Sequence, residues 1–314
     1  SAGSDSCTGG RTGGGAGGRQ KSRLAESCPT GLGCGLAVLG TSAHSPCHAL
    51  GASLICFCVD IVAFQIGSFT IYWYGILSAA GFLVALWTAG KRGLREGLAP
   101  AVLMDLGPWL IVGAVMGARA LYLLSYWKEF FADKPLWEIL MLRHGGLVYY
   151  GGLVGAAVAT ILFVRRKRLA LWKVADVLAP SIALGHAFGR IGCLMNCCCY
   201  GRVTSLPWAI HFPSSHETYP AGVHPTQFYE SFLNLGLCAA LAWLYPRKKF
   251  DGQVFAFYLV GYALLRALVE AFRGDYRAFY WGGVLTSAQL VSLATLAAGF
   301  ILLWKLPAAK PKTK

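Results

Sequence analysis

Apolar residues gather in about seven stretches, at residues 68–90, 101–125, 146–164, 175–196, 225–245, 252–272 and 284–304. Each is close to the roughly 20 residues that cross about 30 Å of hydrocarbon at 1.5 Å per residue. The second is interrupted by Gly107-Pro108 and the fourth by Pro180. Polar residues fall between the stretches or at their ends. The pattern predicts an all-α polytopic membrane protein of about seven transmembrane helices. Composition agrees, because 56% hydrophobic and 13% charged residues are too apolar and too poor in charge for a soluble domain.

The first sixty or so residues differ. Their opening, SAGSDSCTGGRTGGGAGGRQKSR, is rich in Gly and Ser and lacks a helical or strand period. Residues 1–60 are therefore expected to be a disordered extension. As the chain begins without Met, they are read as a fragment or gene-start artefact ahead of a functional tail. A signal peptide around GLGCGLAVLGTSAHS is the weaker rival, since the next apolar stretch can insert by itself. Residues 61–308 form the expected transmembrane catalytic domain and 309–314 a basic tail.

The net charge of +14 gains meaning from its placement. Basic residues follow the first stretch (Lys91, Arg92, Arg95), the third (Arg165 to Arg168) and the fifth (Arg247, Lys248, Lys249), and recur at the end (Lys305, Lys310, Lys312, Lys314). Every second loop is basic. The positive-inside rule places these loops and the C-terminus in the cytoplasm and the N-terminus outside. The loop from Trp127 to Gly145 mixes signs and is expected at the exterior. The charge then belongs to membrane topology, and no nucleic-acid partner is expected.

Polar side chains inside spans are costly and mark function. Here they lean toward the outer ends. Tyr72 and Tyr74 lie near the start of the first stretch, and Arg119 in the outer half of the second. Tyr149 and Tyr150 open the third, Arg190 and Asn196 close the fourth, and His224, Gln227, Tyr229 and Glu230 open the fifth. Tyr262, Arg266, Glu270 and Arg273 close the sixth. His186 and Arg190 share a helical face, and Tyr262, Arg266, Glu270 and Arg273 form one stripe. Three arginines against Glu270 leave surplus positive charge that suits an anion such as lipid phosphate. The bland alternative is a structural pair of Arg190 with Glu230 or Glu270. The Gly-Gly pairs of HGGLVYYGGLVG, Gly151 among them, permit close approach of a ligand or a neighbouring helix.

In their order, IYWYG, GARALY, GGLVYYGGLVG, GRIGCLMNCCCYGR, HPTQFYE and GYALLRALVEAFR resemble the prolipoprotein diacylglyceryl transferase family over roughly residues 66–305. The resemblance implies a bacterial inner-membrane enzyme that moves diacylglycerol from phosphatidylglycerol to the lipobox cysteine thiol of a preprolipoprotein signal peptide. It implies a site at the outer face, with glycerol 1-phosphate as by-product. By position it carries activity to Arg190 and Arg266, whose chemistry fits a phosphate clamp. It carries functional importance to Tyr74, Glu230, Tyr262, Glu270 and Gly201. Two departures stand out: Tyr150 occupies the place of the family's His before the second Gly-Gly pair, and Cys193 that of an Asn three residues after the arginine. The general base is left open among Tyr150, His186, Glu270 and none. Arg119, Gly151, Asn196, Gln227 and Arg273 are expected to bind substrate, among surrounding membrane lipids.

Two other classes fit buried charge. A transporter or channel carries its site near the midplane, often between repeats, and no convincing repeat is visible. A non-catalytic scaffold needs no charge surplus. In GRIGCLMNCCCYGR, the spacing C-x3-C-C-C lacks the pairing of a zinc site. No metal and no cofactor are expected; a disulfide from Cys193 to one of Cys197, Cys198 and Cys199, or packing at a helix end, stays open.

Overall fold

The computed structural model describes residues 55–56, 61–67, 69–130, 146–274, 279–280 and 285–308. The readings of the N-terminal extension, His144 in its glycine motif, most of the loop after Trp127, and the final tail lie outside them. Among the described residues, seven helices of 18 or more residues follow one another: α1 Trp73–Gly93, α2 Pro100–Phe130, α3 Tyr149–Arg166, α4 Leu171–Met195, α5 Thr226–Leu244, α6 Gln253–Glu270 and α7 Ser287–Ala308. Each sits within a few residues of a predicted apolar stretch.

The protein is a mostly helical membrane protein. Five of its helices, α1, α2, α4, α6 and α7, are long and apolar enough to cross a membrane. The other two are less apolar: α3 ends in Arg165-Arg166, and α5 carries Gln227, Glu230 and Asn234. Large side chains point outward, with Leu124 80% and Trp304 78% exposed, while Glu230 is 2% and Glu270 3% exposed. That inversion of a soluble protein's plan fits a lipid solvent, in which polar groups must find partners inside.

Two expectations are corrected. The first stretch does not start as helix. Residues Val62–Ile66 (β2) and Phe69–Tyr72 (β3) pair as an antiparallel hairpin around Gly67, whose φ of 59° permits the tight turn. Aromatic and β-branched residues outweighed apolar length there. Further two-residue strands are β1 (Ile55–Cys56), parallel to β4 (Ile210–His211), and β5 (Phe279–Tyr280), antiparallel to β6 (Leu285–Thr286). Nor do the prolines break their helices: α2 runs through Pro108 and α4 through Pro180, and the distortion in α2 falls at Tyr126.

Helix α4 is central, packed against α1, α5 and α6. Half of its most apolar window is buried, against 11% for α7. Small residues set the closest approaches. Where α2 crosses α3, a Cβ added at Gly117 would lie 2.3 Å from the Gly151 carbonyl oxygen, and one at Gly155 2.1 Å from that of Gly113. Gly151 and Gly155, flagged in the sequence, are thus helix-packing residues.

The end of the bundle that carries the basic loops holds the larger core, built on Leu103, Leu106, Phe163, Val174, Leu241 and Val254. An ion network caps it. Lys248 Nζ lies 2.9 Å from Glu96 Oε1 and 3.2 Å from Asp176 Oδ2, and Asp176 also accepts the Gly252 and Phe255 amides at the start of α6. Burial alone would push the Lys248 pKa down, but Glu96 and Asp176 outweigh it and hold it above the ordinary lysine range. Its contribution is therefore complete below about pH 10 and fades only as pH climbs through the raised value. Lys248→Met, which strands a fully buried Asp176, is expected to cost about 3–5 kcal/mol, read as a lowered thermal midpoint in detergent at pH 7.

Candidate functional site

At the opposite end, three helices bring charge together. Glu230 stands on the face of α5 that also carries Gln227, Ser231 and Asn234, all at most 4% exposed. Its Oε1 is 2.9 Å from Arg190 Nη2 of α4, and its Oε2 is 4.0 Å from Arg266 Nη1 of α6. Arg266 Nη2 in turn lies 2.7 Å from Glu270 Oε2, one turn further along α6. The Thr286 hydroxyl, just before α7, donates to Glu270 Oε1 at 2.8 Å. The sequence placed one acid against three arginines; the structure adds Glu230, so the structural pair left open for Arg190 is present. Each guanidinium has five N–H donors, more than these carboxylates use.

His186 joins through Arg190, whose Nε donates to His186 Nε2 at 3.2 Å. That nitrogen also lies 3.4 Å from Glu230 Oε1. It cannot accept from arginine and donate to glutamate at once. Taking the shorter contact as the hydrogen bond, Nε2 accepts from Arg190 and its lone pair is engaged. The imidazole packs on Tyr262, ring centroids 5.3 Å apart, and Tyr262 stacks on Tyr258 at 5.9 Å.

The remaining expected residues divide. Tyr74, in the first turn of α1, packs its ring against Gly192, two residues after Arg190. Tyr149 is in electrostatic range of Arg190, Glu230 and Arg266; Tyr150 lies beside it in an edge contact at 5.8 Å. Arg119 donates to the Gly146 carbonyl at 3.3 Å and packs near Tyr122. Gly151 belongs to the α2–α3 crossing. Asn196 ends α4 and is exposed.

Gln227 and Gly201 serve the loop after α4. Gln227 Nε2 donates to the Cys198 carbonyl at 2.7 Å, Thr226 Oγ1 to that of Cys199 at 2.7 Å, and His216 Nε2 meets that of Cys197 at 2.9 Å. Gly201 then takes the His224 carbonyl at 3.0 Å and Arg202 that of Phe272 at 2.8 Å, stitching the entry of α5 to the exit of α6. Arg273 sits in this seam, bridged to Gly201. Sequence reasoning missed Thr286, the role of Tyr149 and this seam, because each depends on contacts between distant segments. Beside the seam, Trp208, His224, Phe228, Phe232, Leu268 and Phe272 line an almost wholly apolar groove of about 680 Å³. Trp208 Nε1 donates to Tyr229 Oη there at 2.8 Å.

Largely buried arginines held by carboxylates at one end of an apolar bundle define a membrane protein with a charged centre inside its helices. A family model described as prolipoprotein diacylglyceryl transferase matches residues 61–305. The chain is 36% identical over 253 residues to a phosphatidylglycerol-prolipoprotein diacylglyceryl transferase of Synechococcus elongatus, covering 76% of this chain and 85% of that one. It is 38% identical over 245 residues to the enzyme of that name from Finegoldia magna (78% and 94% covered) and 39% over 217 residues to that of Bordetella parapertussis (68% and 81%). The chain belongs to the prolipoprotein diacylglyceryl transferase family and is a transferase.

The seam yields a sharp test. A Cβ at Gly201 would meet His224 Cβ at 2.5 Å and the His224 and Phe272 carbonyl oxygens at 2.7 and 2.8 Å, whereas one at Gly189 meets nothing within 4 Å. Gly201→Ala is expected to lose about 1–3 kcal/mol and to open the 197–202 loop to proteases. Gly189→Ala, in the interior of α4, is expected to match or exceed the parent in thermal midpoint.

Proposed function

We propose that this protein transfers the diacylglyceryl group of phosphatidylglycerol to the thiol of the lipobox cysteine in a preprolipoprotein, the first step of lipoprotein maturation. It works in the bacterial inner membrane with seven spans, N-terminus outside and C-terminus in the cytoplasm, and with its site toward the outer face. The observation that carries this reading is the pair Arg190 and Arg266, fixed by Glu230 and Glu270 at the end opposite the basic loops. The relatives' names favour a transferase over the transporter that buried charge also allows.

Sulfur attacks the glyceryl carbon, the carbon–oxygen bond to phosphate breaks, and glycerol 1-phosphate leaves with the bond's electron pair. The spare N–H donors of Arg190 and Arg266 hold the phosphate and offset the charge that grows on it. Glu230 and Glu270 keep both guanidinia in place before the lipid arrives, so little reorganisation is left for the transition state. Tyr74, Tyr149 and Tyr262 shape the approach. Gln227 and Gly201 act by holding the loop that closes the site. The apolar groove between α5 and α6 gives an acyl chain or the signal peptide's apolar segment a course to the arginines.

Incubated with phosphatidylglycerol, a lipobox peptide is expected to gain the mass of a diacylglyceryl group. Arg190→Ala and Arg266→Ala should each slow this by about 10²–10³-fold, the worth of one preorganised donor set. Arg190→Lys recovers little of it, since ammonium cannot reproduce the forked contact. Thermal midpoints of the same samples confirm folding, and near-parent rates in folded variants overturn the clamp.

His186 Nε2 is engaged by Arg190, and a tyrosine stands at position 150. The acidic limb of the pH–rate profile is therefore expected to keep its midpoint in both His186→Ala and Tyr150→Phe. A displaced limb in either variant identifies that side chain as the base.

A further inference from the structure

We propose that Cys193, Cys198 and Cys199 form a three-thiolate site for a thiophilic divalent cation of the zinc class, whose fourth position takes the thiol of the acceptor cysteine; this last part rests on the transferase reading above.

The three sulfur atoms all lie within 4.8 Å of one another. Three sulfurs about 2.3 Å from a zinc ion stand about 3.8 Å apart in a tetrahedron, so closure needs shifts of only about an ångström. The loop is built to hold this convergence. Cys197 and Cys199 both have left-handed backbones, with φ of 51° and 62°, and the Cys198 amide returns to the Cys193 carbonyl at 3.1 Å. Left-handed backbone is unfavourable for a residue with a Cβ and persists where surrounding contacts enforce it. Those contacts are the bonds from His216, Gln227 and Thr226 to the carbonyls of Cys197, Cys198 and Cys199. They engage main-chain oxygens rather than sulfur; the Cys198 thiol itself donates to the Cys193 carbonyl at 3.5 Å, a bond that its thiolate on a cation would give up.

A disulfide would use two of the sulfurs and strand the third, whereas a cation uses all three. Among the described residues no fourth His, Cys, Asp or Glu joins the group. Three protein ligands and an open position are the arrangement of a working zinc site, not of a closed structural one. Three thiolates on a divalent ion carry one net negative charge. Arg190 is in electrostatic range of Cys193 and Cys199, and Arg273 of Cys199. The cations that would hold lipid phosphate thus also balance the metal centre.

The chemistry answers the question of the base. A thiol that coordinates such an ion is deprotonated outright. The acceptor S–H gives its proton to water and its sulfur binds the cation. That sulfur then forms the bond to the glyceryl carbon as the carbon–oxygen bond breaks, and the electron pair leaves with the phosphate beside Arg190. No protein base is needed. Cys193 follows Arg190 by three residues, one helical turn, which sets the thiolate and the leaving group side by side.

The test uses the full chain in lipid nanodiscs, stripped by chelator under reductant and reloaded with cobalt(II). One equivalent is expected to bind with intense thiolate-to-cobalt absorption. Cys193→Ser, Cys198→Ser and Cys199→Ser each lose it, and Cys197→Ser and Cys238→Ser keep it. Adding a lipobox peptide raises the charge-transfer intensity by a fourth thiolate, and the same peptide with serine for its cysteine does not. Transfer is expected to fall by tenfold or more on stripping, since a free thiol of pKa about 8.5 is only a few per cent ionised at pH 7, and to return with zinc. Equal absorption in the parent and Cys193→Ser, a disulfide at Cys193 in freshly purified protein, no response to the peptide, or unchanged transfer after stripping overturns the site. Cobalt and peptide binding without any transfer overturns the transferase reading instead and leaves the site standing.

Discussion

The placement of one carboxylate organises this end of the molecule. Glu230 is 2% exposed, and a charge at that depth costs several kcal/mol unless it is paired. Arg190 of α4 supplies the pair at 2.9 Å, and Arg266 of α6 stands at 4.0 Å from its other oxygen. None of the three helices can shift along its axis without exposing an unpaired charge to hydrocarbon. Arg266 extends the constraint to Glu270, and Thr286 extends it to the start of α7. What holds the helices in register is therefore the same set of groups proposed to clamp the lipid phosphate, so stability and the proposed phosphate affinity share their residues.

The two ends of the bundle solve opposite problems. At the basic end, apolar packing of α2, α3, α4, α5 and α6 is closed by Lys248, Glu96 and Asp176, a network near water that fixes short turns. At the other end, the loop 196–202 lies across the ends of the helices. Gln227, Thr226 and His216 hold its carbonyls, and Gly201 admits it between His224 and Phe272. That loop joins the ends of α4, α5 and α6, and Arg190 is in electrostatic range of its Cys199 and of Cys193 just before it. The apolar groove beside Trp208 opens from the same seam. A lipid chain and a charged headgroup can thus be met by adjacent surfaces of α5 and α6.

Much of this was legible in the chain. Apolar length alone located all seven helices to within a few residues, because lipid leaves a helix as the simplest way to satisfy its own backbone. The spacing of Tyr262, Arg266 and Glu270 fixed one helical stripe, and the ordered motifs fixed the family. The sequence could also say that Arg190 needs an anion, since an unpaired guanidinium in hydrocarbon is untenable. It could not say which one. Choosing Glu230 over Glu270 required the rotation of α5 about its axis, which packing against α4 and α6 decides.

The same limit explains the rest. The β2–β3 hairpin was hidden because apolar length does not separate a strand from the start of a helix without its partner. That Tyr149, at the start of α3, comes into electrostatic range of Arg190 depends on how α3 meets α4 and could not be read from its place in the chain. The convergence of Cys193, Cys198 and Cys199 lay beyond spacing rules, because it depends on left-handed backbone at Cys197 and Cys199 enforced by side chains about 20–30 residues away in sequence. By itself the sequence determined what the membrane demands of each segment: its length and its need for buried partners. Tertiary structure alone decided which partners those are, because pairing depends on distances between helices that no local pattern contains.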